Sequence, residues 1–256
     1  MSRFLAAAGR FVDRIKINTL HRHQTDGRAV WSKRRRRSAP LVIAMANGFF
    51  RIANNPVTIL TEPRSWHGWE IASMRALHGA EFRAWSGANG TLWTDELPGR
   101  SISAHLDEGT ATGQMFMAAA RELRRAHAIE CAQFGGGWSH GDPHSGNVIF
   151  DETARRARLL DFEVRHLGAI PADARHADDV LVFLQDTLGR LPRDRWLELA
   201  TTFVAAYARP EITARLVERL MAPRGMATVW WAVRTTYLAP AEVAGRLEAL
   251  REALAN

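Results

Sequence analysis

The chain has 256 residues, 46% of them hydrophobic and 24% charged, which excludes a disordered or fibrous protein and allows one large domain or two small lobes. No stretch approaches the about 18 uninterrupted apolar residues of a membrane-spanning helix, and the single cysteine, Cys131, excludes an internal disulfide and a cysteine-based zinc cluster. The net charge of +7 favours an anionic partner such as a nucleotide, a phospholipid, an acidic glycan or nucleic acid, or else reflects an arginine-rich composition.

The first hundred residues have the pattern of a strand-rich unit with one or two helices. Residues 1–16 are interpreted as an amphipathic leader rather than an export signal. The alternating segments VDRIKINTL and RAVWSKRRR predict two strands, joined by the turn segment HRHQTDG. Further along, SAPLVIAMANGFFRI predicts a buried or interfacial helix, WEIASMRALHG a second helix that ends at Gly79, and EFRAWS with TLWTDEL another hairpin.

After Pro98 and Gly99 the pattern becomes mostly helical. GQMFMAAARELRRAHAIE predicts a helix, NVIF and ARLL predict two short strands, and helical segments continue from Ala177 to the end. The predicted fold class is therefore α+β and bilobal, with a small β-rich N-lobe over residues 1–98 and a mostly helical C-lobe over residues 99–256.

The segment WSHGDPHSGNVIFDETARRARLLDFEVRH, residues 138–166, concentrates histidine and aspartate between these elements. A zinc site is the first interpretation, because His140 and His144 are four residues apart. Gly141 and Pro143 disfavour a helix between them, however, and no glutamate follows His140 as in helical zinc motifs. A metallophosphoesterase would need further Asp and His clusters upstream, which the sequence does not contain. Both metal-only interpretations are therefore weak.

Three oxygen-bearing side chains of the same segment suit phosphoryl transfer. Asp142 lies five positions before Asn147, and Asp161 follows the apolar run ARLL. One loop aspartate can accept a hydroxyl proton while an asparagine and a second aspartate hold Mg²⁺ on nucleotide phosphates. All three are hard oxygen donors, which Mg²⁺ prefers.

The motifs HGDPHSGN and LLDFE resemble the catalytic and metal-binding loops of the protein-kinase-like superfamily. They are most similar to the branch that contains aminoglycoside and choline phosphotransferases, lipopolysaccharide kinases and the ABC1-like atypical kinases. That branch writes HGD-xHxxN where eukaryotic protein kinases write HRD-xxxxN, and often has DFE or DFD in place of DFG. A further aspartate commonly opens its next helix, where RHADDV supplies Asp178 and Asp179 here.

The resemblance implies a role for each motif residue. Asp142 is expected to be the catalytic base, Asn147 and Asp161 to bind Mg²⁺, and His140 to brace the loop from within. Asp178 or Asp179 would cap the following helix and tie it to the catalytic loop. His144 would help to position a phosphate or the loop itself.

A kinase-like N-lobe should also supply a strand lysine for the nucleotide phosphates and a helix glutamate that holds it. Lys33 lies in the second predicted strand and is one of only two lysines, and Glu70 opens the segment WEIASMRAL. The alternative is a solvated lysine beside an arginine run and a surface glutamate. The sequence departs from the pattern in one respect, because Gly9 and Gly27 are the only glycines of the first forty residues and form no GxGxxG.

These observations predict an ATP- and Mg²⁺-dependent phosphotransferase whose acceptor is a hydroxyl of a small molecule, a sugar or a lipid-linked glycan. A pseudokinase scaffold and an atypical protein serine/threonine kinase are the alternatives within the same fold. No nucleic-acid-binding motif is present, so no nucleic-acid partner is expected.

The basic run from Lys33 to Arg37 beside an apolar helix suits contact with an anionic membrane surface. The alternative is that the arginines are solvated and the helix packs on the N-lobe. The expected location is the cytoplasm, with peripheral contact at the inner membrane face.

Overall fold

A computed structural model describes residues 17–223, 225, 227–235 and 238–255, so the predicted leader over residues 1–16 lies outside the described residues. The protein is α+β, with a small antiparallel sheet near the N-terminus and a mostly helical remainder. The strands are β1 (Asn18–Thr25), β2 (Arg28–Arg35), β3 (Val57–Ile59), β4 (Ala84–Ser86), β5 (Thr91–Asp95), β6 (Arg100–Ser101), β7 (Glu130–Cys131), β8 (Gly136–Gly137), β9 (Val148–Asp151), β10 (Arg156–Leu159) and β11 (Val164–His166). The helices are α1 (Ala39–Ile52), α2 (Pro63–His78), α3 (Ile102–Asp107), α4 (Gly113–His127), α5 (Ala172–Leu188), α6 (Arg193–Tyr207), α7 (Pro210–Arg219), α8 (Ala227–Arg234) and α9 (Pro240–Ala255).

The N-terminal sheet has the antiparallel order β1-β2-β5-β4. A two-residue turn at Asp26 and Gly27 joins β1 to β2, with φ of 51° and 74°, and this left-handed pair matches the twist of a hairpin. The prediction of a hairpin here is confirmed, but the prediction that HRHQT belongs to the turn is wrong. Those residues form most of β1, whose outer part is exposed and therefore lacks the apolar alternation of a half-buried strand.

Helix α2 begins at Pro63, six residues before its predicted start. The carboxylate of Glu62 accepts hydrogen bonds from the backbone N–H groups of Arg64 and Ser65, at 2.8 and 2.5 Å. This cap and the proline at the first helical position explain the early start. Glu70 consequently lies in the middle of the helix rather than at its beginning, while the predicted end at Gly79 is confirmed.

Two pairs of very short strands connect the N-terminal and helical parts. β3 pairs with β11, and β6 pairs with β9. Gly99 precedes β6 with φ of 107°, and a Cβ at this position would collide with the backbone of Phe150 in β9. The close passage of the chain here therefore requires glycine.

The helical part encloses an aromatic core around α5. Phe183 stacks on Phe203 of α6 with ring centroids 4.6 Å apart and meets Phe116 of α4 edge-on at 5.4 Å. All three side chains are fully buried. Helix α5 therefore lies in the centre of the C-terminal part, with its polar positions directed at the loops before β9.

His78, at the end of α2, makes the stability of this packing pH-dependent. Its Nε2 is 2.8 Å from the carbonyl oxygen of Leu159 in β10. Burial and, to a lesser degree, the nearby arginines lower the pKa of His78 to about 4 from an ordinary value of 6.5. Between these values the unfolded chain binds more protons than the folded one, so the folded state loses stability as the pH falls below 6.5.

We expect His78→Gln to keep a hydrogen-bond donor near Leu159 while removing this titration. The loss of unfolding free energy between pH 7 and pH 5, measured by urea denaturation, should shrink by ~2 kcal/mol. The exposed Gln24 of β1, which has no titratable group, provides the control, and Gln24→Ala should leave the pH dependence unchanged. An unchanged pH dependence in the His78 variant would contradict the assignment.

Candidate active site

Lys33 lies at the centre of a buried charge cluster. Its Nζ is 3.1 and 3.2 Å from the two carboxylate oxygens of Glu70, in close contact with Asp161, and 3.6 Å from Oε2 of Glu163. Glu70 and Asp161 are 37 and 128 residues away along the chain. The structure therefore brings the sequence-predicted residues Lys33, Glu70 and Asp161 together, and adds Glu163, which sequence reasoning missed.

Local packing fixes both sides of the Lys33–Glu70 pair. Lys33 lies opposite Leu92 of β5 in the sheet and is buried with it. Trp66, one helical turn before Glu70, donates its indole N–H to Oε2 of that carboxylate at 2.5 Å. The ammonium of Lys33 lies 5.5 Å from the centre of the same indole ring. Trp66 thus aligns the glutamate and also contacts the lysine.

The cluster has three carboxylates for the ammonium of Lys33 and the guanidinium of Arg35, which interacts with Glu70 and Glu163. Burial opposes the charge on Lys33, but the carboxylates outweigh it, and the pKa of Lys33 is raised above its ordinary value. Burial, together with Asp161 and Glu163, raises the pKa of Glu70 even though Lys33 opposes the shift. The pKa of Glu163 is likewise raised by burial. This excess of negative charge fits a divalent cation, which would balance it.

Asp161 has the backbone conformation of a strained functional position. Its φ is 66°, in the left-handed region that a side chain with Cβ rarely adopts. The residue ends the segment that follows β10 and directs a partly exposed carboxylate toward Lys33. In this conformation the carboxylate of Asp161 forms its ion pair with Lys33.

His140 occupies the position expected of a loop brace. Its Nε2 lies 3.1 Å from the carbonyl oxygen of Leu160, and its Nδ1 accepts the backbone N–H of Asp142 at 3.2 Å. Burial lowers the pKa of His140, so the ring is neutral. The two contacts require the tautomer with the proton on Nε2, which donates to Leu160. His140 thereby connects the loop before β9 to the residue that precedes Asp161.

Asn147 is oriented as a cation ligand would be. Its side-chain N–H donates to the backbone carbonyl of Asp142 at 3.0 Å, which leaves the amide oxygen as the atom that can reach a cation. The backbone N–H of Leu160 donates to the carbonyl of Asn147 at 3.0 Å, beside Asp161. Asn147 and Asp161 are thus the residues that could hold Mg²⁺, an ion that usually keeps several waters and takes only one or two protein carboxylates.

The two histidines of the loop serve local structure. His144 accepts the backbone N–H of Gly146 at 3.1 Å, which caps the short 3₁₀ turn that ends at Asn147. Within the described part of the chain, no group of three or more His, Cys, Asp or Glu side chains has the arrangement of a metal site. The zinc interpretation therefore has no support there.

Asp179 binds the loop before β9 from the middle of α5. Its carboxylate accepts the backbone N–H groups of His140 and Gly141 at 2.7 and 2.8 Å, and Nε2 of His127 lies 3.0 Å away. Asp178 instead contacts Nε2 of His166 at 3.1 Å. The prediction that one of these aspartates ties the helix to the loop is met by Asp179. The prediction that either caps the helix is wrong, because α5 begins at Ala172, six residues earlier.

We expect Asp179→Asn to lower the free energy of unfolding by ~2–4 kcal/mol, because a buried charged acceptor and its bonds are lost. Chemical denaturation measures this loss. Asp194, an exposed aspartate in the first turn of α6, provides the control, and Asp194→Asn should cost less than about 1 kcal/mol. Equal losses in the two variants would contradict the role given to Asp179.

Asp142 forms an ion pair that sequence reasoning missed. A terminal nitrogen of Arg234, on α8, donates to Oδ1 of Asp142 at 2.8 Å. Burial alone would raise the pKa of Asp142, but the guanidinium of Arg234 holds it below its ordinary value. No sequence signal marks Arg234, because it is one of many arginines and lies 92 residues from its partner.

A cavity of about 320 Å³ leads to the charge cluster. Leu20, Leu92, Ile149 and Leu160 give it apolar lining, and residues 94–97 and 99–101 also line it. Lys33, Glu70 and Asp161 line the same cavity. An apolar group in this cavity could thus carry an attached anion that reaches Lys33.

Comparison of the sequence with protein-family models finds no match, and comparison with curated proteins finds none either. Among solved structures, the chain is similar to the Rv3197–erythromycin complex from Mycobacterium tuberculosis, at 16% identity and a TM-score of 0.43. The match covers 94% of this chain and 74% of the other. This likeness assigns neither a family nor an activity to the chain.

Proposed function

We propose that the protein is an ATP- and Mg²⁺-dependent phosphotransferase with a bilobal protein-kinase-like arrangement, acting on a hydroxyl acceptor that is a small molecule, a sugar or a lipid-linked glycan. The observation that carries this proposal is the contact of Lys33 with both Glu70 and Asp161 beside the 320 Å³ cavity. Three segments that are distant along the chain meet there and supply the charged side chains that binding of nucleotide phosphates needs.

The proposed reaction assigns one task to each residue. The adenine lies in the apolar cavity and Lys33, held by Glu70, neutralises phosphate oxygens. Asp142 accepts the proton of the acceptor hydroxyl as its oxygen forms a bond to the γ-phosphorus. The bond from that phosphorus to the bridging oxygen breaks, and ADP leaves with the bonding electrons. Mg²⁺, held by Asn147 and Asp161, would neutralise the charge on the phosphates.

A thermal-shift titration with Mg-ATP tests the proposal on wild type and Asp161→Asn. We expect a saturable stabilisation of wild type that depends on Mg²⁺ and is lost or reduced at least tenfold in affinity in the variant. Glu152→Gln, an exposed change in the β9–β10 turn, should titrate as wild type does. The same shift in wild type and in Asp161→Asn would contradict the metal assignment.

A binding or regulatory scaffold is the second candidate function. Two observations favour it: the turn between β1 and β2 has only two residues where a phosphate-covering loop would be expected, and Arg234 occupies the carboxylate of Asp142. Such a protein would bind Mg-ATP without consuming it. Radiolabelled ATP separates the two functions, because a scaffold leaves it intact in wild type and Asp142→Ala alike.

We also propose that α1 contacts an anionic membrane surface, as expected for a cytoplasmic protein that acts on a lipid-linked acceptor. Leu41, Met45 and Ile52 share one face of α1 and are 68%, 63% and 73% exposed, while Ile43 and Phe50 on the opposite face are buried. The exposed Arg36 and Arg37 immediately precede the helix. An apolar stripe beside arginines complements acidic headgroups over a hydrocarbon interior. Among the described residues, no helix has the length and apolar character to cross a bilayer.

Vesicle flotation tests this contact with phosphatidylglycerol mixed into phosphatidylcholine. Replacing both Leu41 and Met45 by serine should weaken binding by about tenfold or more, because each buried apolar side chain contributes ~1.5–3 kcal/mol. Met221→Ser, at a methionine that is also exposed but lies after α7, is the matched control and should bind as wild type does. Equal binding of all three proteins would overturn the proposal.

A further inference from the structure

A second cavity, of about 170 Å³, adjoins the catalytic loop and, among the described residues, shares none of its lining with the cavity at Lys33. Its wall includes Gly141, next to Asp142, and the asparagines Asn54 and Asn55 just after α1. Arg219 of α7 and Arg234 of α8 also line the cavity. The cavity thus lies where an acceptor would meet Asp142.

The charges on this wall favour an anion. Arg219 and Arg234 are both cationic, and the only acidic side chain among the described residues of the wall is Asp178. Asp178 already contacts Arg219 and His166. The side chains of Asn54 and Asn55 add amide N–H donors. Arg219 is paired with Asp178 and Arg234 with Asp142, so a phosphate or carboxylate would be bound by the two guanidinium groups in competition with these carboxylates.

Arg234 connects this cavity to the proposed base. Its largely buried guanidinium lines the cavity and donates to Oδ1 of Asp142 at 2.8 Å. A guanidinium has five N–H donors in one plane. It can therefore bind a carboxylate and a second anion together, or release the carboxylate and bind the second anion instead. An anion in the cavity would draw the guanidinium from Asp142, whose Oδ1 could then accept a hydroxyl hydrogen bond.

We propose that this cavity binds a phosphate or carboxylate group carried by the acceptor, and that Arg234 is the residue that recognises it. The inference rests on the proposed phosphotransferase function and specifies its substrate class: a hydroxyl compound that is itself anionic. The proton of that hydroxyl passes to Asp142, its oxygen forms the new bond to phosphorus, and ADP departs. Arg234 is a binding residue in this scheme and takes no proton.

The anion can belong to a soluble molecule or to a lipid headgroup. The exposed stripe of α1 ends at Ile52, and the cavity wall begins at Ala53, so a headgroup in the membrane surface that α1 contacts would lie near the opening. The shared chemistry is an oxyanion within reach of Arg234, and the two sources differ only in what is attached to it.

Phosphate binding tests the proposal without knowledge of the acceptor. Inorganic phosphate is titrated into wild type, Arg234→Gln and Arg215→Gln by calorimetry. Arg215 lies one turn before Arg219 on the same helix and is exposed and paired with Asp173 and Glu218, so it is the matched control. We expect Arg234→Gln to weaken phosphate binding by about tenfold or more, since a charged hydrogen bond is lost, and Arg215→Gln to bind as wild type does.

A second arm uses vesicles of phosphatidylglycerol in phosphatidylcholine with the same three proteins. A deficit of Arg234→Gln with phosphate alone supports a soluble anion, and a deficit in both arms supports a headgroup. Equal behaviour of Arg234→Gln and wild type in both arms, or no saturable phosphate binding by wild type, overturns the proposal. Repeating the phosphate titration on Asp161→Asn keeps the two proposals separate. That variant should lose Mg-ATP binding and retain phosphate binding.

Discussion

Asp142→Asn is expected to lower the rate of phosphoryl transfer from ATP by a factor of about 10²–10⁴, the usual contribution of a general base. The asparagine keeps the shape of the side chain and can still accept a hydrogen bond from Arg234, so the loop should remain folded. It cannot take the proton of an acceptor hydroxyl. The rate is measured as ADP formed from Mg-ATP with water as the acceptor and inorganic phosphate present as the anion beside Arg234, which requires no knowledge of the physiological acceptor.

Two accompanying measurements make this result specific. The Mg-ATP thermal shift of Asp142→Asn should match that of wild type, because the base is not a nucleotide ligand. Glu152→Gln, on the exposed turn between β9 and β10, should keep the wild-type rate. A wild-type rate in Asp142→Asn would remove Asp142 from the reaction. No turnover in wild type, with Mg-ATP binding intact, would favour the scaffold instead.

The residues of the candidate site that could be predicted from the sequence are those with an unusual chemical identity or a tight local spacing. Lys33 stood out because lysine is rare in this arginine-rich chain. Asp142 and Asn147 stood out because they are five positions apart in one polar loop, whose short-range bonds hold them together. Such local patterns can be recognised in the sequence because the contacts that depend on them are made within the same short segment.

The residues that were missed act over long sequence separations. Arg234 reaches Asp142 from 92 positions away, and Glu163 lies 3.6 Å from Lys33 of β2. Nothing in the neighbourhood of either residue announces its partner, because the packing of distant parts of the chain decides it. The misassigned cap at Asp178 or Asp179 has the same origin: the helix start at Ala172 depends on Pro171 and the preceding turn, not on the aspartates.

The fold likewise contains elements that the sequence predicts and elements that it does not. Long helices and the two main hairpins follow from apolar periodicity and turn chemistry, and the structure has them near the predicted positions. The strands β3, β6 and β11 have only two or three residues, too few for any periodicity. They exist because the N-terminal and helical parts meet there, which is a property of the assembled chain.

Removing the ammonium of Lys33 should have the largest effect on stability. Lys33→Met leaves Glu70, Asp161 and Glu163 buried or partly buried together without their shared cation. An uncompensated buried charge costs about 3–5 kcal/mol, so the free energy of unfolding at pH 8 should fall by about that amount. Lys33→Arg keeps the charge in a larger planar group and should lose less stability.

The pH and Mg²⁺ dependence of Lys33→Met distinguishes this cause from a packing defect. Burial and the neighbouring carboxylates already raise the pKa of Glu70, and the loss of Lys33 raises it further. A carboxyl group with a raised pKa binds more protons in the folded state, so its stabilising protonation is complete below an ordinary pKa of about 4.5 and is lost as the pH rises. The deficit relative to wild type, measured by urea denaturation, should therefore be smaller at pH 5 than at pH 8.

Millimolar Mg²⁺ should reduce this stability deficit at pH 8, because a divalent cation at Asn147 and Asp161 replaces the missing positive charge. A deficit that is independent of both pH and Mg²⁺ would mean that Lys33 fills space rather than balancing charge, and that the three carboxylates do not act as one electrostatic unit.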